Sequence, residues 1–301
     1  MGVLPSTTRE PELPYLEVPA ATPAPPVVNV ATVPQRSLFR YPGGKTWLVP
    51  WIRQWLSHLQ YTPSRLVEPF AGGGIVSLTA VFENLVPAAT LIELDPDVAS
   101  VWHTVLNGKG QALANRIASF EVSRESVAAA FAHPEPTPEY RAFLTILRNR
   151  INRGGILAPG AGVFKNGENG RGLASRWYPA TLKRRILDIV AVSDRITFLE
   201  TDGLDFLARY SDDPDLVFFI DPPYTVAGTR LYTHSDIDHE RLFGIAETLA
   251  GDFLITYDDA PMIQELAAKH GFQAAAVAMR NTHHACKTEL LIGRDLTWLT
   301  Q

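Results

Sequence analysis

Residues 216–224 read LVFFIDPPY, an apolar run that ends on a carboxylate, two prolines and an aromatic ring. Those types in that order suit a flat heterocycle carrying an exocyclic amine. The lone pair of such an amine is delocalised into its ring, which makes it a poor nucleophile. Asp221 and the carbonyl of Pro222 can each accept one amine N–H, favouring the geometry in which the lone pair becomes available. Tyr224 offers a face on which an extruded base can stack. The prolines fix φ and remove two N–H donors, leaving carbonyls as the local polar groups. Taken alone, the same four residues also describe a strand followed by a proline turn.

The elements that would position this group lie upstream. Residues 65–70 (RLVEPF) predict a short buried strand, 71–74 a turn containing Gly72, Gly73 and Gly74, and 75–84 an apolar helix. Strand, glycine turn and helix open a nucleotide-binding α/β unit, in which glycine allows a tight turn and close ligand approach. A second strand, 89–94 (ATLIEL), leads to Asp95, whose distance from the glycines suits hydrogen bonding to ribose hydroxyls. Neither G-x-G-x-x-G nor G-x-x-x-x-G-K-[ST] is present, so a nucleoside without a pyrophosphate fits better than NAD or ATP. S-adenosylmethionine is such a ligand. Further upstream, FRYPGGK (39–45) precedes an amphipathic helix carrying Trp47, Leu48, Trp51, Ile52, Trp55 and Leu56, with Pro50 in its first turn.

In this order, FRYPGGK, LVEPFAGGG, IELD and DPPY resemble the Dam-type (D12 class, α-group) DNA adenine-N6 methyltransferases, across residues 37–293. The resemblance implies a Rossmann-like, S-adenosylmethionine-dependent α/β sheet interrupted by a mainly helical DNA-recognition insertion. It implies cofactor contacts from Tyr41, Lys45, Gly72, Gly73, Gly74, Asp95 and Asp202. It also places Asp221 between cofactor and base, with Pro222 and Tyr224 completing the catalytic group. The domain bounds expected are a proline-rich tail over 1–36, a catalytic domain over 37–108 and 188–301, and the insertion over 109–187.

Composition fits a soluble globular protein: 46% hydrophobic and 20% charged residues in a chain of 301. No apolar run reaches membrane-spanning length, no secretory leader is visible, and cytoplasmic localisation is expected. A lone cysteine, Cys286, rules out an intrachain disulfide. Residues 1–36 hold eight of the 23 prolines and little helical periodicity, which predicts a disordered or polyproline-like tail.

The net charge of −5 is unevenly shared. Residues 141–185 carry ten Lys or Arg against one acid, Glu168, a balance of +9 beside −14 for the remainder. Such a segment fits a polyanion-binding module on an acidic body. Two helices are predicted in it, one starting at Thr137-Pro138 and ending before Gly154-Gly155, the other over 179–192. The glycine-rich stretch 154–172 between them predicts a mobile loop or long hairpin. This region is similar to the family's target-recognising hairpin and following helix, and Arg148, Arg150, Arg153 and Arg176 are expected to be divided between phosphates and base edges. The family's G-L-x-R-Y-N pattern is absent, so GATC specificity is not expected.

Downstream, residues 225–233 predict a lid or DNA-facing loop, Ser235 or Asp236 a helix cap, and 253–257, 272–279 and 288–292 the remaining strands. Tyr257-Asp258-Asp259 resembles a family segment near the base pocket. His239 is assigned to capping or packing. His283, His284 and Cys286 lack a fourth ligand at suitable spacing, so no metal is expected. The substrate expected is adenine in double-stranded DNA, flipped from the duplex; cytosine N4, RNA adenine or a non-catalytic DNA-binding role are the alternatives. A cognate restriction endonuclease is a possible partner, and a monomer is the default state.

Overall fold

The run LVFFI forms a strand, Leu216–Ile220, buried along its whole length. Val217 and Phe219 enter one apolar cluster with Leu66, Ala89 and Leu254, while Phe218 and Ile220 enter a second with Val67, Ile92 and Ile255. A strand buried on both faces reads as a continuous apolar run and belongs at the centre of a parallel sheet. The chain, a computed structural model, is described over residues 30–40, 43–134, 136–158, 160–165, 167, 170–223, 237–280 and 286–300.

In chain order, α1 (Val49–His58) leads to β1 (Arg65–Glu68), α2 (Ile75–Phe82) and β2 (Ala88–Ile92). Five helices follow: α3 (Pro96–Thr104), α4 (Gly110–Ser119), α5 (Arg124–Phe131), α6 (Pro138–Ile151) and α7 (Pro179–Val190). The sheet then resumes with β3 (Ile196–Leu199), α8 (Gly203–Arg209), β4 (Leu216–Ile220) and α9 (His239–Thr248). It ends with β5 (Phe253–Asp258), α10 (Pro261–Lys269), β6 (Gln273–Arg280) and β7 (Cys286–Gly293). The strand order is β3-β2-β1-β4-β5-β7-β6. The first five strands run parallel, and β7 is antiparallel to both β5 and β6. This is the expected α/β class with a Rossmann-like, doubly wound sheet.

That order has one reversal that matters for function. From β1 the chain first builds outward through β2 and β3, then returns to place β4 on the other side of β1, with Val67 opposite Phe218. Connections therefore leave the carboxyl ends of β1 and β4 in opposite directions and open a crevice there, where open α/β sheets bind ligands.

The helices between β2 and β3 pack in pairs, α3 on α6 and α4 on α7. Phe143, Leu147, Leu182, Ile186 and Ile189 join the cluster that holds Leu66 and Ala89, so these helices share their core with one face of the sheet. Thr137 caps α6 by accepting from the Tyr140 N–H, and Pro138 occupies the first turn. In the glycine-rich stretch, Arg153 N donates to Gly162 O at 2.8 Å and Phe164 N to Ile151 O at 3.0 Å, a single antiparallel bridge. The cap of α9 is Asp238, which accepts from Arg241 N at 2.9 Å; the expected candidates, Ser235 and Asp236, lie outside the described residues.

Two glycines of the β1–α2 turn require their backbone freedom. Gly72 and Gly74 have φ of 45° and 59°, and Gly74 is the N-cap of α2. A Cβ at Gly74 would stand 3.0 Å from the Trp102 ring and 3.1 Å from Leu91. Gly74→Ala should lower unfolding free energy by roughly 1–2 kcal/mol for the left-handed backbone alone, with the Trp102 contact adding to it. Urea denaturation measures this, and an unchanged midpoint would contradict it.

Candidate active site

The crevice is built from the ends of β1, β2 and β4, with further groups from β5, β7 and the segment before α1. At the end of β1, the buried Glu68 carboxylate accepts from Ser77 N at 2.9 Å. The glycine turn follows: Ala71 N bonds Ile92 O at 2.9 Å, and Trp102 Nε1 donates to Gly72 O at 2.9 Å. The turn is thus tied to β2 and α3 on both sides. Asp221 caps the end of β4, with 22% of its side chain exposed, and is followed by Pro222 and Pro223.

Lys45 meets Asp221 directly. Its ammonium lies 2.9 Å from Asp221 Oδ1 and 3.6 Å from Glu289 Oε2, and donates to Gly43 O at 2.9 Å. Thr256 on β5 donates to the same Asp221 Oδ1 at 2.7 Å. Lys45 and Glu289 are only 3% and 4% exposed. Burial works to lower the Lys45 pKa, but the two carboxylates outweigh it and hold the ammonium above its ordinary value. Glu68 goes the other way. Burial pushes its carboxyl up to about 8, and the negative charge of Asp221 adds to this against the Ser77 hydrogen bonds and Lys45.

At the end of β2 the acids divide differently from the expectation. Asp95 Oδ1 accepts from Asp97 N at 2.8 Å and Val98 N at 3.3 Å, so this side chain caps α3. The acid that faces the glycine turn is Glu93. Its Oε2 accepts from Gly72 N at 2.9 Å and its Oε1 from Leu94 N and Asp95 N, each at 2.9 Å. Burial raises the Glu93 pKa, opposed by these three N–H donors. Asp202 caps α8 by accepting from Asp205 N at 3.0 Å. Tyr41 and Tyr224 lie outside the described residues, as do His283 and His284.

Glu93, Glu289 and Thr256 were not among the residues singled out from sequence. Glu93 and Glu289 each carried a signal, an acid inside an otherwise apolar strand (TLIEL, TELLI). Beside the site, the hydroxyl of the buried Tyr257 lies 2.7 Å from His239 Nδ1. Burial raises the Tyr257 pKa, and the nearby Asp258 and Asp221 charges raise it further.

The four expected DNA-contacting arginines are not equivalent. Arg153 is exposed and Arg176 half-buried. Arg148 Nη1 pairs with Asp97 at 2.8 Å, beside Arg141 Nε at 2.6 Å on the other oxygen. Arg150 needs correction: it is 5% exposed and donates to the Leu38 carbonyl, so it is an internal tie and not a surface contact. Burial, with the charges of Arg185, Arg40 and Arg176 nearby, brings its pKa down to about 9. Its neighbour Asn149 accepts from Arg40 N at 2.9 Å and donates to Arg40 O at 3.0 Å and Gly155 O at 2.7 Å.

A glycine turn, an acid at the end of the second strand and a charged pair thus meet at the sheet's reversal, where open α/β sheets bind ligands. The sequence matches the D12 class N6 adenine-specific DNA methyltransferase family over residues 41–281, and the chain belongs to that family. It is an adenine-specific methyltransferase, and S-adenosylmethionine is its cofactor. No curated protein matches the sequence significantly. Among solved structures, the chain is similar to an S-adenosylmethionine-dependent methyltransferase from Agrobacterium tumefaciens, at 10% identity and TM-score 0.39 over 83% of this chain and 61% of that one. It is also similar to an rRNA methyltransferase from Streptomyces viridochromogenes, at 13% identity and TM-score 0.37 over 89% and 93%. Likenesses this distant carry nothing about substrate.

The Glu68 carboxyl, raised to about 8 when folded against an ordinary 4.5, links folding to protons. Between those values the folded chain holds a proton that the unfolded chain releases. Its contribution is complete below pH 4.5 and lost as pH rises to 8. Glu68→Gln should remove this slope, gaining roughly 2–4 kcal/mol on wild type between pH 5 and 8. Chemical denaturation across that range tests it, and a difference independent of pH would refute it.

Proposed function

We propose that this enzyme methylates adenine N6 in double-stranded DNA, holding the flipped base against Asp221. The observation that carries the reading is the position of Asp221 at the exit of β4. It stands beside the glycine turn of β1 and is fixed through Oδ1 by Lys45 and Thr256. A carboxylate so held can orient an amine without rotating away.

The residues present fit the cofactor. The 72–74 turn, with two positive-φ glycines, adds no side chains beyond Cα to the crevice, and Glu93 is the carboxylate assigned to the ribose. Asp95 and Asp202, both engaged as helix caps, would flank the cofactor through their turns. When bound, S-adenosylmethionine supplies an electrophilic methyl group on a sulfonium. The task of the chain is then to align the amine, hold its hydrogens and exclude water. Asp221 and the Pro222 carbonyl accept the two amine N–H groups, and Tyr224 is assigned to stacking on the base. Extrusion costs a few kcal/mol, of which stacking returns roughly 1–3.

The insertion is assigned to the duplex. Arg153, Lys165 and Arg171 are exposed in and around its glycine-rich stretch, which makes them the candidate phosphate contacts. Arg148 reaches DNA only by leaving Asp97.

Asp221→Ala should reduce methyl transfer to DNA by at least a thousand-fold in protein that circular dichroism shows to be folded, with the thermal midpoint lowered because buried Lys45 loses a partner. Nucleoside analysis of the wild-type product should yield N6-methyladenine. N4-methylcytosine, or product on RNA alone, would overturn the substrate, and an active Asp221→Ala would overturn the site. Replacing Arg153, Lys165 and Arg171 by Ala should flatten the log–log salt dependence of DNA binding by up to about three units. An unaltered slope would move the DNA-binding face elsewhere.

A further inference from the structure

Residues 37–40 belong to no helix or strand, yet Leu38 and Phe39 are buried. Buried backbone outside a ladder needs other hydrogen-bond partners. Here they come from two helices between β2 and β3. Arg185 on α7 donates to Ser37 O at 2.9 Å, and Arg150 on α6 donates to Leu38 O. Asn149 on α6 takes both ends of Arg40, accepting from its N–H at 2.9 Å and donating to its carbonyl at 3.0 Å. It also donates to Gly155 O at 2.7 Å. Asn149 itself is 0% exposed. A buried amide costs free energy unless its groups are bonded, and no apolar residue of similar size could make these contacts. The side chain therefore serves the backbone of Arg40 and Gly155 rather than the apolar packing of α6. Three residues after Arg40 comes Gly43, whose carbonyl accepts from Lys45, and Lys45 reaches Asp221 at 2.9 Å.

We propose that Asn149 is a positioning residue for methyl transfer: by holding the Arg40 backbone from α6, it sets where the chain enters Gly43–Lys45 and so places Lys45 against Asp221. Arg150 and Arg185 extend the same hold to Leu38 and Ser37. The inference rests on the assignment of Asp221 to the catalytic crevice. It gives α6 a part in the chemistry that is separate from any contact its exposed residues make with DNA.

Calorimetric binding of S-adenosylmethionine and steady-state methylation of DNA by the full chain test this. Asn149→Leu keeps the side-chain volume and removes all three contacts. In folded protein it should weaken S-adenosylmethionine about ten-fold and lower kcat at saturating cofactor by about ten-fold or more, because a small misplacement at a distance is felt at the reacting atoms. Affinity for DNA without cofactor should change less than about two-fold, since the side chain is buried. Wild-type cofactor affinity and kcat with only the thermal midpoint lowered, or equal losses in DNA and cofactor affinity, would overturn the proposal in favour of a packing role. Should Asn149→Leu fail to fold, Arg185→Met decides at a half-buried position of the same hold. Cofactor binding weakened about two- to four-fold supports the proposal, and an unchanged affinity overturns it. An Asp221→Ala variant that stays active would remove the crevice assignment, and this inference with it, whatever Asn149→Leu shows.

Discussion

The buried ammonium of Lys45 is the constraint around which the site is arranged. A charge with 3% exposure is tolerable only with close partners, and these come from widely separated parts of the chain: Asp221 after β4, Glu289 on β7 and the carbonyl of Gly43. Deleting one member of such a group leaves the others buried and uncompensated, typically at roughly 3–5 kcal/mol. The group therefore locks the segment before α1 across the carboxyl edge of the sheet. Thr256 adds a neutral donor to the same Asp221 oxygen and fixes its carboxylate without altering the charge.

The insertion is tied to that segment at short range. Asn149 holds the Arg40 backbone in both directions and Arg150 holds the Leu38 carbonyl, five to seven residues before Lys45. The fit is close, since a Cβ on Gly155 would stand 2.1 Å from the Arg40 carbonyl oxygen. On its other side, Arg141 and Arg148 grip Asp97, the residue whose N–H is held by the Asp95 cap beside Glu93. The helix that carries Arg141, Arg148, Asn149 and Arg150 thus touches both the segment before Lys45 and the turn beside Glu93. Displacing α6 would strain both.

Much of this was legible in sequence. LVFFI and RLVEPF are short apolar runs bounded by turn residues, and the glycine turn after the second of them fixes the β1–α2 exit. What was not legible has definite causes. Asp95 and Glu93 both stand at the end of β2, and distance from the glycines cannot separate them. The following Pro96-Asp97 marks Asp95 as an N-cap, which uses its carboxylate on backbone N–H groups. Arg150 was counted by charge, yet it follows Phe143 by seven residues and Leu147 by three, and so lies on the buried face of α6. Glu289 pairs with a lysine 244 residues away, and no local pattern reports that contact.

The two signs of charge in the molecule answer to different partners. A sulfonium donor and an attacking amine call for local negative charge, whereas DNA is a polyanion repelled by it. Separating the signs along the chain, +9 in residues 141–185 and −14 elsewhere, meets both demands. Screening over about 8 Å at physiological ionic strength lets a recessed acidic pocket coexist with a basic surface close by. Under the proposed function, the exposed Arg153, Lys165 and Arg171 serve phosphate while the recessed acids serve the cofactor. Arg150, a cation that is buried instead, ties the basic segment to the Leu38 carbonyl, and Lys45 ties the residues that follow to Asp221 and Glu289.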